Sequence, residues 1–113
     1  MLVINRFVVG SDAADAFTER AHAALAALAA RPGYVGGRLT RALDDPTRWC
    51  LVTDWASVGT YRRALGAFEV KLAASPLLAE SLDEPSAYEA LATAEPGGAV
   101  VVTASDRAAD PWR

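Results

Sequence analysis

The chain has 113 residues and a net charge of −3, with 52% hydrophobic and 22% charged residues. This length fits one domain, and the composition is that of an ordinary globular protein, not a disordered one. The acidic balance and the scattered arginines exclude a nucleic-acid-binding surface, which needs clustered positive charge. No apolar run is long enough to cross a bilayer, since about 18 residues are needed.

The N-terminus and the single cysteine indicate the compartment. Residues 1–10 are apolar, but they lack the basic start, long apolar stretch and cleavage site of a signal peptide. Cys50 cannot form a disulfide within the chain, which suits a reducing compartment. We therefore expect a cytoplasmic protein that binds neither membrane nor nucleic acid.

The first part of the chain predicts a strand, a helix and a second strand. Residues 2–9 are β-branched and aromatic and end at a glycine, which predicts a strand. Residues 12–31 are alanine-rich with apolar side chains at helical spacing, and Ser11 is expected to cap this helix. Residues 34–43 predict the second strand, in which the pair Gly36–Gly37 suggests a bulge or a close approach of another group.

The second part predicts a strongly apolar strand, one helix and a last strand. Residues 49–55 follow the previous strand after a short link, so the two should form an antiparallel hairpin. Ser57 is expected to cap a helix that runs to about residue 75, where Pro76 breaks it. Residues 86–92 predict a fourth strand. Spacings of four, three and four predict a core-facing stripe on the helix, made of Tyr61, Leu65, Phe68 and Leu72.

This order of elements predicts a ferredoxin-like βαββαβ domain, an α+β fold with two helices on one face of a four-stranded antiparallel sheet. The third strand has apolar residues at both its odd and its even positions, so both faces of the sheet need a cover. A second subunit is the simplest cover for the face without helices, and we expect a homodimer. The domain should span residues 1–93. Residues 94–113 should form a tail in which residues 99–104 add a strand, with the partner's sheet edge as a possible site of pairing.

Three segments together are typical of one known family. The first is the turn Pro32-Gly33-Tyr34-Val35-Gly36-Gly37, the second is the strand end 51–55, and the third is the helix start 57–65. Their order and spacing resemble those of antibiotic biosynthesis monooxygenase domains over residues 2–92. The resemblance implies a dimeric α/β barrel in which the sheets of two subunits pack together. It also implies a pocket between each sheet and its helices.

Two activities of that family differ in the residues they require. Members that oxygenate aromatic polyketides use neither metal nor flavin. They carry a Trp at the end of the third strand and a Tyr six residues later, and Trp55 and Tyr61 match this pattern. The Asn expected four residues before the Trp is Leu51 here. The resemblance therefore implies an oxygenase whose site departs from the family pattern at one position.

Haem degradation in that family requires a different set of residues. Its Asn on the first strand is matched by Asn5, but its Trp and His on the second helix are replaced by Ala64 and Ala74. The only histidine, His22, lies in the first helix, off its apolar stripe, where a solvated side chain is expected. Haem degradation is therefore not expected.

The catalytic candidates are Trp55, Tyr61 and Asn5. Trp55 and Tyr61 would orient an aromatic substrate by stacking and by one phenolic hydrogen bond, or both could fill the core. Asn5 could donate to a substrate oxygen, or it could lie exposed on the outer face of the sheet. Further substrate contacts are expected from apolar residues of the first strand, the third strand and the second helix: Phe7, Leu51, Leu65, Phe68 and Leu72.

Other catalytic chemistries lack the residues they need. One His and one Cys cannot supply the usual metal-ligand sets, so we expect neither metal nor cofactor. A dyad of Cys50 and His22 would lack a third group to orient it, and Cys50 is better explained as a small core residue.

The leading hypothesis is a cofactor-independent monooxygenase that acts on a polyketide- or quinone-like aromatic, with molecular oxygen as the second substrate. The substrate would lose a proton and react with dioxygen as an anion, while the protein positions it and excludes water. One alternative is a non-catalytic or stress-related dimer of the same fold that binds a hydrophobic ligand. A purely structural partner is the third possibility.

Overall fold

The computed structural model describes residues 1–104. In this part of the chain, helices cover one face of an antiparallel sheet with the strand order β2-β3-β1-β4. The strands are β1 (Leu2–Val8), β2 (Tyr34–Arg41), β3 (Arg48–Trp55) and β4 (Ala87–Tyr88). The helices are α1 (Ala14–Ala29), α2 (Val58–Leu65), α3 (Phe68–Ala73) and α4 (Ser75–Leu78). This confirms the predicted ferredoxin-like α+β fold.

Alternation along β1 and β3 decides which side chains face the helices. Buried residues alternate with more exposed ones on both strands, as expected of strands with one face against a core. In the antiparallel register Asn5 lies opposite Leu51 and Phe7 lies opposite Trp49, and all four are buried. Asn5 therefore lies on the helix side of the sheet, and its alternative placement on the outer face is wrong.

The first helix has the predicted apolar stripe but not the predicted cap. Its buried residues are Phe17, Ala21, Ala24 and Leu28. A 3-10 turn over Ser11–Ala13 precedes α1, and no side chain caps either the turn or the helix. The prediction for Ser11 is wrong because the chain begins to turn directly after Gly10, whose carbonyl accepts the Ala13 N–H at 3.0 Å. This places Ser11 inside the turn instead of before it.

The second predicted helix is three short helices. Ala67 is extended (φ −72, ψ 143) and separates α2 from α3, so the helical phase starts again at Phe68. Phe68 and Leu72 are consequently 72% and 69% exposed, and the prediction that they face the core is wrong. Pro76 interrupts the helix as predicted, since α3 ends at Ala73, and it then lies in the first turn of α4, where a backbone N–H has no partner within the helix and its absence costs no hydrogen bond. The residues of this region that enter the core are Ala64, Val70, Ala74 and Leu77.

The last strands are shorter than predicted. β4 pairs with β1 only at Leu2 and Val3, because the preceding loop takes the rest of that edge: the Leu82 N–H donates to the Arg6 carbonyl at 2.7 Å. The predicted tail strand is present as β6 (Val101–Val102), which pairs with β5 (Ala92–Thr93) of the same chain. Residues 105–113 of the predicted tail lie outside the described residues. No helix within residues 1–104 has the length and apolarity to cross a membrane.

Candidate functional site

The predicted pair of Trp55 and Tyr61 lies in an aromatic cluster at one end of the sheet. The Trp55 ring packs edge-on against Tyr34 at 5.4 Å and tilted against Tyr61 at 5.4 Å. Trp55 is 1% exposed, and its indole N–H donates to the Thr53 hydroxyl at 2.8 Å. The structure thus brings the two residues together, with the Trp55 side chain already fully engaged within the chain.

Tyr61 is held in this cluster by the start of α2. Ser57 and Thr60 form a reciprocal capping box, in which the Ser57 hydroxyl accepts the Thr60 N–H at 3.1 Å. This confirms the predicted cap at Ser57. Burial raises the pKa of Tyr61, so its hydroxyl stays protonated near neutral pH. That hydroxyl has no hydrogen-bond partner within residues 1–104 and is available to a ligand.

The turn between α1 and β2 fixes the third member of the cluster. Gly33 has a positive φ of 88, and a Cβ at this position would lie 2.3 Å from the Thr60 Cβ. Only glycine allows the turn to lie this close to α2. The predicted close approach at Gly37 is also confirmed, because a Cβ there would lie 2.6 Å from the Tyr34 hydroxyl. A register shift between Tyr34 and Gly36 marks the bulge.

Asn5 is a buried amide among apolar neighbours. It is 9% exposed, and its side chain makes no hydrogen bond within residues 1–104. The only fully enclosed side-chain nitrogen or oxygen without a partner in this part of the chain is Arg31 Nε. The Asn5 amide therefore keeps some contact with water-sized space and remains free to bond a ligand.

A cavity of about 220 Å³ lies between the end of β1 and the beginning of α1, and we call it the seam cavity. Its aromatic wall consists of Phe7 and Phe17, whose ring centroids are 5.1 Å apart, and Phe17 packs against Trp49 at 5.5 Å. Two charged side chains, Arg20 and Glu80, lie at its rim. The full lining is Phe7, Val8, Val9, Gly10, Ala13, Ala16, Phe17, Arg20 and Glu80.

The seam cavity and the aromatic cluster are separate places. Trp55 pairs with the start of β1, whereas Phe7 lies six residues further along, about 20 Å at the usual rise of a strand. Asn5 is two residues from Phe7 on the same face of β1, with Leu51 opposite. The predicted site residues therefore do not converge on one site.

The remaining predicted contacts lie away from the seam cavity. Leu65 is half-buried against the core, and Phe68 and Leu72 are exposed. Sequence patterns predicted only Phe7 among the cavity residues. Phe17 belongs to the apolar stripe that the helical spacing of residues 12–31 predicts, and no periodicity connects Arg20 with Glu80, which is 60 residues away.

Cys50 and His22 are on opposite sides of the sheet. Cys50 alternates with the inward residues of β3 and so faces away from the helix layer, to which His22 belongs. The dyad considered from the sequence is therefore excluded. Within residues 1–104, no three side chains among His, Cys, Asp and Glu converge as a possible metal-ligand set.

Comparison with known proteins identifies the class. Residues 1–74 match the sequence profile of the antibiotic biosynthesis monooxygenase family, and the chain belongs to that family. SnoaB from Streptomyces nogalater, a cofactor-independent oxygenase, is 28% identical; the match covers 80% of this chain and 94% of SnoaB with a TM-score of 0.62. A conserved protein from Methanosarcina mazei Go1 has the same fold at 17% identity, over 76% of this chain and 84% of its own, with a TM-score of 0.63. No functionally curated protein sequence matches the chain.

Proposed function

We propose that the protein is a cofactor-independent monooxygenase that oxidises a small electron-rich aromatic compound in the seam cavity. The observation that carries this proposal is an aromatic-walled cavity on the helix side of the sheet, next along β1 from an unpartnered buried amide. Family membership and the 28% identity with SnoaB support the class of reaction.

The chemistry rests mainly on the substrate. Deprotonation of a phenol or an activated ring methylene gives an anion that transfers electrons to dioxygen. For a methylene that becomes a carbonyl, and equally for a phenol that becomes a quinone, the net reaction replaces two hydrogens by one oxygen atom, and the second oxygen atom leaves as water. Phe7 and Phe17 would hold the ring and exclude water. Asn5 lies outside the cavity lining, two residues along β1, so its amide would donate to the oxygen on which negative charge develops only in a substrate that extends along the strand from the cavity.

The aromatic cluster is the second candidate location for the same reaction. The free hydroxyl of Tyr61, which is kept protonated by its raised pKa, favours it as a contact for a substrate oxygen. The packing of Trp55 between two tyrosines opposes it, because a substrate ring would have to displace Tyr61 first. Leu51, Leu65, Phe68 and Leu72 remain predicted contacts only if the substrate reaches toward this end of the helix layer.

Oxygen uptake by metal-stripped protein tests the proposal, with hydroquinone, naphthohydroquinone and anthrone as substrates. We expect uptake above the spontaneous rate, reduced at least about tenfold in Ala16→Phe, which fills the cavity rim. Ala23→Phe is the matched control, because Ala23 is also an exposed position on α1 but lies outside the cavity lining. Loss of uptake in Tyr61→Phe but not in Ala16→Phe would move the site to the aromatic cluster.

Binding without turnover defines the alternative function. If a panel compound binds and quenches tryptophan fluorescence while oxygen uptake stays at the rate in buffer, the protein is a ligand-binding member of the family. The same Ala16→Phe and Ala23→Phe pair would then locate the binding site.

We also propose that a second copy of the chain covers the outer face of the sheet. Leu2, Ile4, Cys50 and Val52 give this face an apolar centre, and none is fully buried within one chain. A sheet face of this kind normally requires a cover. The exposed valines of β6 are predicted to lie near the partner's sheet, as the resemblance to dimeric family members suggests.

A further inference from the structure

An ion pair spans the rim of the seam cavity. Arg20 of α1 and Glu80, which follows α4, are the only charged residues that line the cavity. The Arg20 Nη1 donates to a carboxylate oxygen of Glu80 at 3.1 Å, and its Nη2 donates to the other. The guanidinium is thus held at the cavity rim with two of its N–H donors engaged by a carboxylate.

The contact between Arg20 and Glu80 is weak enough for another anion to replace the Glu80 carboxylate. The two side chains are 46% and 54% exposed, and ion pairs at such positions contribute little to stability because solvent competes for both charges. The hydrogen bond from Arg20 lowers the pKa of Glu80, so the carboxylate is an anion at neutral pH. A second anion that reached Arg20 from inside the cavity would therefore replace one carboxylate contact by another of the same kind.

The volume of the cavity limits the ligand. A protein cavity of about 150 Å³ accepts benzene. At about 220 Å³, the seam cavity can hold one ring or two fused rings, and the remainder of a larger ligand would extend past the rim into solvent. Phe7 and Phe17 are buried, so the cavity meets only the exposed edges of their rings, and these edges with the neighbouring Val8 and Val9 favour an apolar ring beside the charged rim.

We propose that Arg20 is the anion-binding residue of this site and that its ligand is a one- or two-ring aromatic carboxylate or phenolate, which displaces Glu80. This inference rests on the proposed function for its choice of cavity. In a phenolate substrate, the guanidinium would also stabilise the electron-rich form that reacts with dioxygen. Glu80 would then limit binding to ligands whose anionic group competes with its own carboxylate.

Calorimetric titration with naphthoate and with its neutral analogue naphthamide tests the proposal. We expect Arg20→Gln to weaken naphthoate binding at least about tenfold. Glu80→Gln should tighten it several-fold, because the competing charge is removed while a hydrogen-bonding group stays. Neither change should alter naphthamide binding appreciably. Arg62→Gln and Glu69→Gln, at exposed positions outside the cavity lining, control for the change in net charge.

The outcomes separate this inference from the proposed function. Naphthoate binding that is equal in wild type and Arg20→Gln overturns the anion site, even if oxygen uptake remains sensitive to Ala16→Phe. Oxygen uptake that is unaffected by Ala16→Phe, together with naphthoate binding that depends on Arg20, overturns the proposed reaction site and keeps the anion site. If neither compound binds, the anion site is wrong.

Discussion

Asn5 places a polar side chain where its neighbours on the strand, Val3 and Phe7, are apolar core residues. A buried amide without a partner costs free energy, which a protein tolerates where the group has another use. Thr53 is the contrasting case, because its hydroxyl satisfies the Trp55 indole. We therefore expect the Asn5 amide to serve a ligand and the Thr53 hydroxyl to serve the structure.

The prediction is that Asn5→Leu leaves the free energy of unfolding unchanged or raises it by up to about 1 kcal/mol, while oxygen uptake falls. Thr53→Val should instead lower the free energy of unfolding by about 1–3 kcal/mol, because it leaves the indole N–H unpaired. Urea unfolding and the oxygen electrode measure both effects. A loss of stability in Asn5→Leu as large as in Thr53→Val would show that the amide is structural.

Tyr61 gives the aromatic cluster a pH dependence. Burial raises its pKa from the ordinary 10.0, so the folded state holds the phenolic proton more tightly than the unfolded chain does. The contribution of this group to stability is complete below 10.0 and is lost as pH rises through the folded-state pKa. Tyr61→Phe should therefore flatten the alkaline decrease in the free energy of unfolding. Parallel alkaline curves for the wild type and the variant would contradict this assignment.

At the scale of elements, the tight contact between the α1–β2 turn and α2 depends on Gly33. We expect Gly33→Ala to lower the free energy of unfolding by more than about 2 kcal/mol, because a positive φ and a clash with Thr60 add together. Gly66→Ala is the control, since Gly66 has helical φ and a Cβ there would meet nothing closer than 3.4 Å. Equal stability of the two variants in urea would contradict the close contact.

The strands were predictable from the sequence because alternation is a local signal. It identified β1 and β3, although it left open whether the face of β1 that carries Asn5 and Phe7 points toward the helices. The break at Ala67 has only a weak signal: Gly66, directly before it, ends α2, but one glycine inside a helical pattern does not by itself predict an extended residue. One extended residue was enough to turn Phe68 outward. The pair of Arg20 and Glu80 was invisible for another reason, because tertiary packing alone brings residues so distant in sequence together.

For the whole molecule, the uncovered face of the sheet predicts self-association. We expect sedimentation of the wild type at twice the chain mass of 11.9 kDa. Val52→Lys should shift the protein to monomer, because it introduces a charge at the centre of the apolar outer face. Leu43→Lys, at a fully exposed position beyond the end of β2, should leave the dimer intact. A wild-type monomer, or a dimer that tolerates Val52→Lys, would contradict the proposed interface.

The most direct test of the central claim is the initial rate of oxygen uptake by the metal-stripped protein with naphthohydroquinone, compared between Ala16→Phe and Ala23→Phe. The two variants place the same bulky side chain on the same helix, and only the first fills the rim of the seam cavity. We expect a rate near that of buffer for Ala16→Phe and near that of the wild type for Ala23→Phe. Equal rates in the two variants would show that the seam cavity is not where the reaction takes place.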